Sequence, residues 1–115
     1  MDIADQIGNA IYTSVMVRLK AELIENLNST IEVDNDSYKL RKKIFNSLNE
    51  QEKKYFIEYI ESILEDCTTT ILAGLEGETH IDLYPCDSIR LSCDKENVGP
   101  YLTDVFVGLV EELKE

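Results

Sequence analysis

The chain has 115 residues, 43% hydrophobic and 30% charged, which fits one folded domain over 1–115 and leaves no linker for a second. Its 23 acidic and 11 basic side chains give a formal net charge of −12, which argues against nonspecific binding to nucleic-acid phosphates or anionic lipid. Asp2 and Asp5 stand where a secretory signal carries Lys or Arg, and no run approaches the roughly 20 apolar residues of a membrane span, so a cytoplasmic location is expected.

Ile3, Ile7, Ile11, Val15, Leu19, Leu23 and Leu27 recur at every fourth position, thickened by Ala10, Met16, Val17, Ala21 and Ile24. This spacing predicts one long helix, ending near Asn26 to Ser29, where side chains compete for backbone hydrogen bonds. Thr30 to Asp36 mixes β-branched residues with Glu32, Asp34 and Asp36 and reads as an exposed acidic loop. It lacks the Gly and bidentate Glu that an EF-hand calcium loop requires. Asp36 is the expected N-cap of a shorter helix over Ser37 to Leu48, with Leu40, Ile44, Phe45 and Leu48 on its apolar side. Asn49 and Glu52 have the spacing of a capping box and open a third helix. Its expected core face is Phe56, Ile57, Ile60, Ile63, Leu64, Cys67, Ile71 and Leu72, with Leu75 at the end and Gly77 as the C′ residue. Thr68, Thr69 and Thr70 lower helix propensity in its last third.

From Glu78 the period shortens. Ile81 and Leu83, then Ile89, Leu91 and Cys93, alternate with polar residues and predict two brief strands joined by a turn over Tyr84 to Ser88. Asp94 to Gly99 reads as a polar connection, and Pro100 suits the first turn of a closing helix that carries Leu102, Val105, Phe106, Leu109, Val110 and Leu113. The expected fold is α+β and mainly α: three to four helices around one core, with a short β-hairpin before the C-terminal helix.

Cys67, Cys86 and Cys93 are an odd set without a C-x-x-C pair. Cys67 is expected to be a buried small hydrophobe and the other two ordinary thiols; a Cys86–Cys93 bridge is the sharper alternative and needs an oxidising compartment. No metal ligand set or cofactor loop is recognised. His80, the single histidine, reads as a surface or capping residue rather than a general base, and with no nucleophile, phosphate-loop or metalloprotease motif no catalytic residue is assigned. Glu58, Glu61 and Glu65, with Asp66 beside them, read as a solvated helix face.

Charge is unevenly distributed. Residues 37–49 carry +4 through Lys39, Arg41, Lys42 and Lys43, while 50–77 carry −5 and 78–115 carry −6. The basic cluster is expected to pair with Glu50, Glu52 and the loop acids. Tyr55 and Tyr59, like Tyr84 and Tyr101, are read as lining the edge of the core, with a partner-binding face as the alternative.

The segment Asp66-Cys67-Thr68-Thr69-Thr70-Ile71-Leu72-Ala73-Gly74-Leu75-Glu76-Gly77, with the strand-like Ser88 to Cys93 and Tyr101-Leu102-Thr103-Asp104-Val105-Phe106, resembles small uncharacterised bacterial proteins, some of them immunity-protein-like. The resemblance covers about the C-terminal half and implies a cytoplasmic binding protein that neutralises a toxin, without catalytic residues. The charge leads to the same expectation: an acidic protein-binding module with a partner of basic surface, such as a toxin nuclease. The candidate contacts are Glu32, Asp34, Asp36, Glu76, Asp82 and Asp87, all on expected connections or their borders. The alternative is a homodimeric structural or regulatory protein, built by pairing the excess apolar residues of the first helix.

Overall fold

The computed structural model describes residues 2–29, 34–77 and 90–114. The first helical run is α1 (Ile3–Tyr12), a π-helical stretch (Thr13–Leu19) and α2 (Lys20–Asn28), followed by α3 (Asp36–Asn46) and α4 (Glu50–Leu75). A hairpin of β1 (Ser92–Cys93) and β2 (Glu96–Asn97) then leads into α5 (Tyr101–Lys114). The fold is therefore mainly helical with one short antiparallel hairpin before the last helix.

The π stretch gives the four-residue spacing its physical meaning. On an α-helix of 3.6 residues per turn, a row at every fourth position drifts by about 40° per step, so a long row would wind most of the way round. The wider π turn slows that drift. Its hydrogen bond from the Lys20 N–H to the Val15 carbonyl reaches back five residues. The row consequently meets successive neighbours: α1 packs on α5, the π stretch on α4, and α2 on both α3 and α4. The helix ends where expected, with Ser29 extended and the Asn28 side chain donating to the Ile24 carbonyl at 3.1 Å.

Caps fix the other boundaries. Asp2 accepts from the Asp5 N–H at 2.8 Å and starts α1. Asn35, one residue before the expected Asp36, caps α3 by accepting from the Tyr38 N–H at 3.2 Å. The Asn49/Glu52 capping box forms as expected, at 2.8 and 2.9 Å. Gly77 closes α4 with φ +77°, and its N–H donates to the Gly74 carbonyl. The hairpin differs from expectation. Ser92 pairs with Asn97 and Cys93 with Glu96, so the segment read as a polar connection supplies the second strand. Asp94 and Lys95 both have positive φ, 50° and 69°, the geometry of a two-residue turn whose twist matches the flanking strands. The expected first strand at Ile81 and Leu83 lies outside the described residues.

The core is Ala4, Met16, Leu72, Val98, Leu102, Phe106 and Val110, with Ile7, Ile11, Tyr12, Val15, Leu64 and Leu91 packed against it. A ladder this short is marginal alone, and Val98, Leu91 and Cys93 anchor it to the helices. α1 and α5 pack closely at Gly8, where an added Cβ would lie 2.7 Å from Val105 Cβ and nearer still to its Cγ1. Gly8→Ala is therefore expected to lower stability by about 1–3 kcal/mol, because overpacking outweighs the roughly 1 kcal/mol gain in helix propensity. Adding Val105→Ala should restore part of the loss in urea unfolding; strictly additive losses would contradict this contact.

Candidate functional site

Two apolar surfaces stand open on α4. The first is a groove of about 510 Å³ between α2, α3 and α4. Leu23, Leu27, Ile44, Phe56, Ile60, Ile63 and Leu64 line it together with Tyr38, Arg41 and Lys42. Phe45, buried and 5.7 Å from the Phe56 ring, fastens α3 beside the first half of α4. The second is a row at four-residue spacing along α4 that turns by about 40° per step and so winds round the helix: Tyr55 (60% exposed), Tyr59 (64%), Ile63 (42%), Cys67 and Ile71 (57%).

This row corrects the expected core face. Leu72 is buried and Phe56, Ile57, Ile60, Leu64 and Leu75 are half-buried, but Ile63, Cys67 and Ile71 are exposed. Cys67 is thus an exposed free thiol rather than a buried hydrophobe. The physical reason is that the π stretch, α2 and α5 pack along α4 and leave these residues uncovered. Tyr55 and Tyr59 are exposed beside this uncovered side, not at the edge of the core.

The acidic candidates separate. Asp34 and Asp36 are exposed at the start of α3, and Asp34 lies 4.0 Å from Lys39. Glu76 turns inward. Its carboxylate accepts from the Leu102 N–H at 2.9 Å, the Thr103 N–H at 2.7 Å and the Thr103 hydroxyl. It thereby caps α5 while ending α4, so its geometry is that of a structural cap rather than an open contact. Glu32, Asp82 and Asp87 lie outside the described residues, as do His80, Tyr84 and Cys86.

A further group joins Glu65 and Asp66, which the sequence shows only as part of a solvated face, to Glu111, which no sequence signal singles out. Glu65, Asp66 and Glu111 line an open depression of about 530 Å³ between α4 and α5, together with Thr69, Thr70 and Lys114. Lys114 donates to Glu65 at 2.8 Å, and this hydrogen bond, with the nearby charges of Glu65, Glu61 and Asp66, holds its ammonium above the ordinary lysine range against some desolvation. Glu61 is matched by Lys20 at 2.8 Å.

The basic cluster meets the loop acids in part, through Lys39 and Asp34 at 4.0 Å, but not Glu50 or Glu52. Glu50 meets Lys53 at 3.7 Å, and Glu52 is spent on the capping box. Lys42 donates to the Ser29 carbonyl at 2.8 Å. Arg41 contacts neutral groups, the Ser37 hydroxyl at 3.2 Å and the Tyr38 ring at 5.0 Å. Among the described residues no group of His, Cys, Asp or Glu has the arrangement of a metal site, and no helix is long and apolar enough to cross a membrane. No protein-family model, curated protein or solved structure matches the chain.

Proposed function

We propose that the protein is a non-catalytic, cytoplasmic protein-binding module that engages a partner of basic surface, in the manner of an immunity-type inhibitor neutralising a toxin such as a nuclease. The observation that carries this reading is the convergence of Glu65, Asp66 and Glu111 on one open depression in a chain of net charge −12, with Lys114 as the one cation lining it among the described residues. Glu112 is exposed beside Glu111, and Asp34 and Asp36 add exposed carboxylates at the start of α3. Summed acidic potential speeds encounter with a cationic partner and selects against anionic ones.

The test is capture of a partner from the native host on immobilised protein, followed by affinity measurement at two salt concentrations. A basic protein should be retained and should bind at least about tenfold more weakly at about 300 mM than at about 50 mM salt. The variant Glu111→Lys with Glu112→Lys should weaken binding in the same direction. Absence of any partner, or one indifferent to both salt and charge reversal, would remove the electrostatic reading.

A further inference from the structure

We infer that the groove between α2, α3 and α4 is a binding site for a free aliphatic anion: a hydrocarbon chain of the fatty-acid type lies along the apolar residues of α4, and its carboxylate is held by Arg41, with Lys42 beside it, on α3. This site is separate from the acidic depression between α4 and α5 and goes beyond the reading given for it.

Volume and lining suit a small ligand. At about 510 Å³ the groove falls within the roughly 300–1,000 Å³ usual for small-molecule sites. Three helices wall it, and the part of α4 that lines it, from Phe56 to Leu64, runs for about 12 Å. A peptide helix is about 10–12 Å across with its side chains and would stand largely outside a space of this size, whereas an extended hydrocarbon chain would lie within it. Ile44 and Ile63, 48% and 42% exposed, are part of the lining, so a chain seated there removes from water apolar surface that the fold leaves exposed.

Charge selects an anion for the head of the ligand. The chain has 23 acidic residues against 11 basic, yet none of the described residues that line the groove is acidic and two of them are cations. Tyr38, Arg41 and Lys42 stand at i, i+3 and i+4 on α3, so both positive charges belong to one wall, and the α4 wall is apolar. Arg41 contacts the Ser37 hydroxyl at 3.2 Å and the Tyr38 ring at 5.0 Å, and among the described residues no carboxylate neutralises it. A carboxylate reaching its guanidinium would gain a charge-assisted hydrogen bond, roughly twice as strong as one between neutral groups. Lys42, half-buried and donating to the Ser29 carbonyl at 2.8 Å, adds a second positive charge on the same wall.

The same charges favour a free molecule over a bilayer. A chain of net charge −12 is repelled by an anionic surface, and Asp34 and Asp36 are exposed at the start of the helix that carries Arg41. A single amphiphile in solution meets only the local field of α3, where residues 37–49 carry +4. A neutral or cationic amphiphile would reach the same apolar wall but take water from Arg41 without replacing its hydrogen bonds by charge-assisted ones.

Titration calorimetry of the full chain with sodium dodecanoate, kept below its micelle concentration, should give one molecule bound per chain with a Kd of about 10–100 μM. Dodecan-1-ol, the same tail without the charge, and acetate, the head without the tail, should each bind at least about tenfold more weakly. Arg41→Glu, at an exposed position, should weaken dodecanoate by about tenfold or more, and Ile44→Glu, which sets a carboxylate in the groove, should abolish its binding. On the wild-type protein, methyl resonances of Ile44, Ile60 and Ile63 should shift with dodecanoate while Val107, in the acidic depression, stays in place. That arm holds even if a variant fails to fold. No binding, equal affinity for alcohol and carboxylate, shifts elsewhere, indifference to both variants, or binding to phosphatidylserine vesicles or an acidic peptide helix in place of free dodecanoate would each overturn the inference. Charge reversal at Glu111 and Glu112 should leave dodecanoate affinity unchanged, so failure of the basic-partner reading and failure of this one are told apart.

Discussion

Phe106→Ala is expected to lower unfolding free energy by about 3–5 kcal/mol, a large part of the 5–15 kcal/mol typical of a domain. Phe106 has no exposed surface and sits at the centre of the core, with the Tyr12 ring 6.1 Å away and neighbours from α1, α4 and the segment after the hairpin. These elements come from both ends of the chain, so none can move into the cavity without breaking contact with the others. The urea midpoint should fall with little change in slope, as for a cavity in an otherwise intact fold. Phe45→Ala is the informative comparison. Phe45 is almost equally buried, at 1% exposed, but it lies outside the main core and next to the open groove. There α3 can settle toward α4 or water can enter, so the loss should be nearer about 2–3 kcal/mol. Equal losses would mean that the two regions are equally rigid, contrary to the separation of their buried clusters.

The helices were legible because hydrophobic period and end signals agree locally. The Asn49/Glu52 box, Gly77 and the Asn-rich end of the first helix each act through neighbours three or four residues away, which a sequence displays. Which side of a helix is covered is a different kind of fact. The apolar residues of α4 wrap around more than one face, and periodicity cannot say which of them the π stretch, α2 and α5 reach. Periodicity alone therefore places Ile63, Cys67 and Ile71 in the core, where they are in fact exposed. The hairpin moved for a local reason, since Asp94 and Lys95 adopt positive φ without the glycine that advertises such a turn. The π stretch left only an indirect trace, a row held at four-residue spacing for longer than an α-helix would keep on one side. Of the candidate acids, Asp34 and Asp36 lie exposed as the loop reading implies, whereas the role of Glu76 depends on residues 26 and 27 positions away.

That distance makes Glu76 the sharpest test of how the two halves of the fold are joined. Glu76→Ala is expected to cost about 2–3 kcal/mol, because it leaves the Leu102 and Thr103 N–H groups and the hydroxyl of buried Thr103 without their acceptor. The carboxylate also lies at the positive end of α5, where a negative charge is stabilising. Glu76→Gln separates these contributions. It keeps one carbonyl acceptor but replaces the second oxygen with a donor that faces other donors, so it should recover only part of the loss. A surface control such as Glu58→Ala should stay within about 0.5 kcal/mol. Thermal unfolding should place Glu76→Ala about 8–15 °C below the wild type for a chain of this size. Amide exchange supplies the residue-level reading: protection should fall first at Leu102 and Thr103, while the middle of α4 is unchanged. If Glu76→Ala instead leaves stability and exchange intact and weakens capture of a basic partner, Glu76 is an external contact after all. The opposite result, a lower melting temperature with unchanged affinity of the folded protein, fits a carboxylate that holds α5 to the end of α4 and leaves recognition to the exposed acids around Glu111.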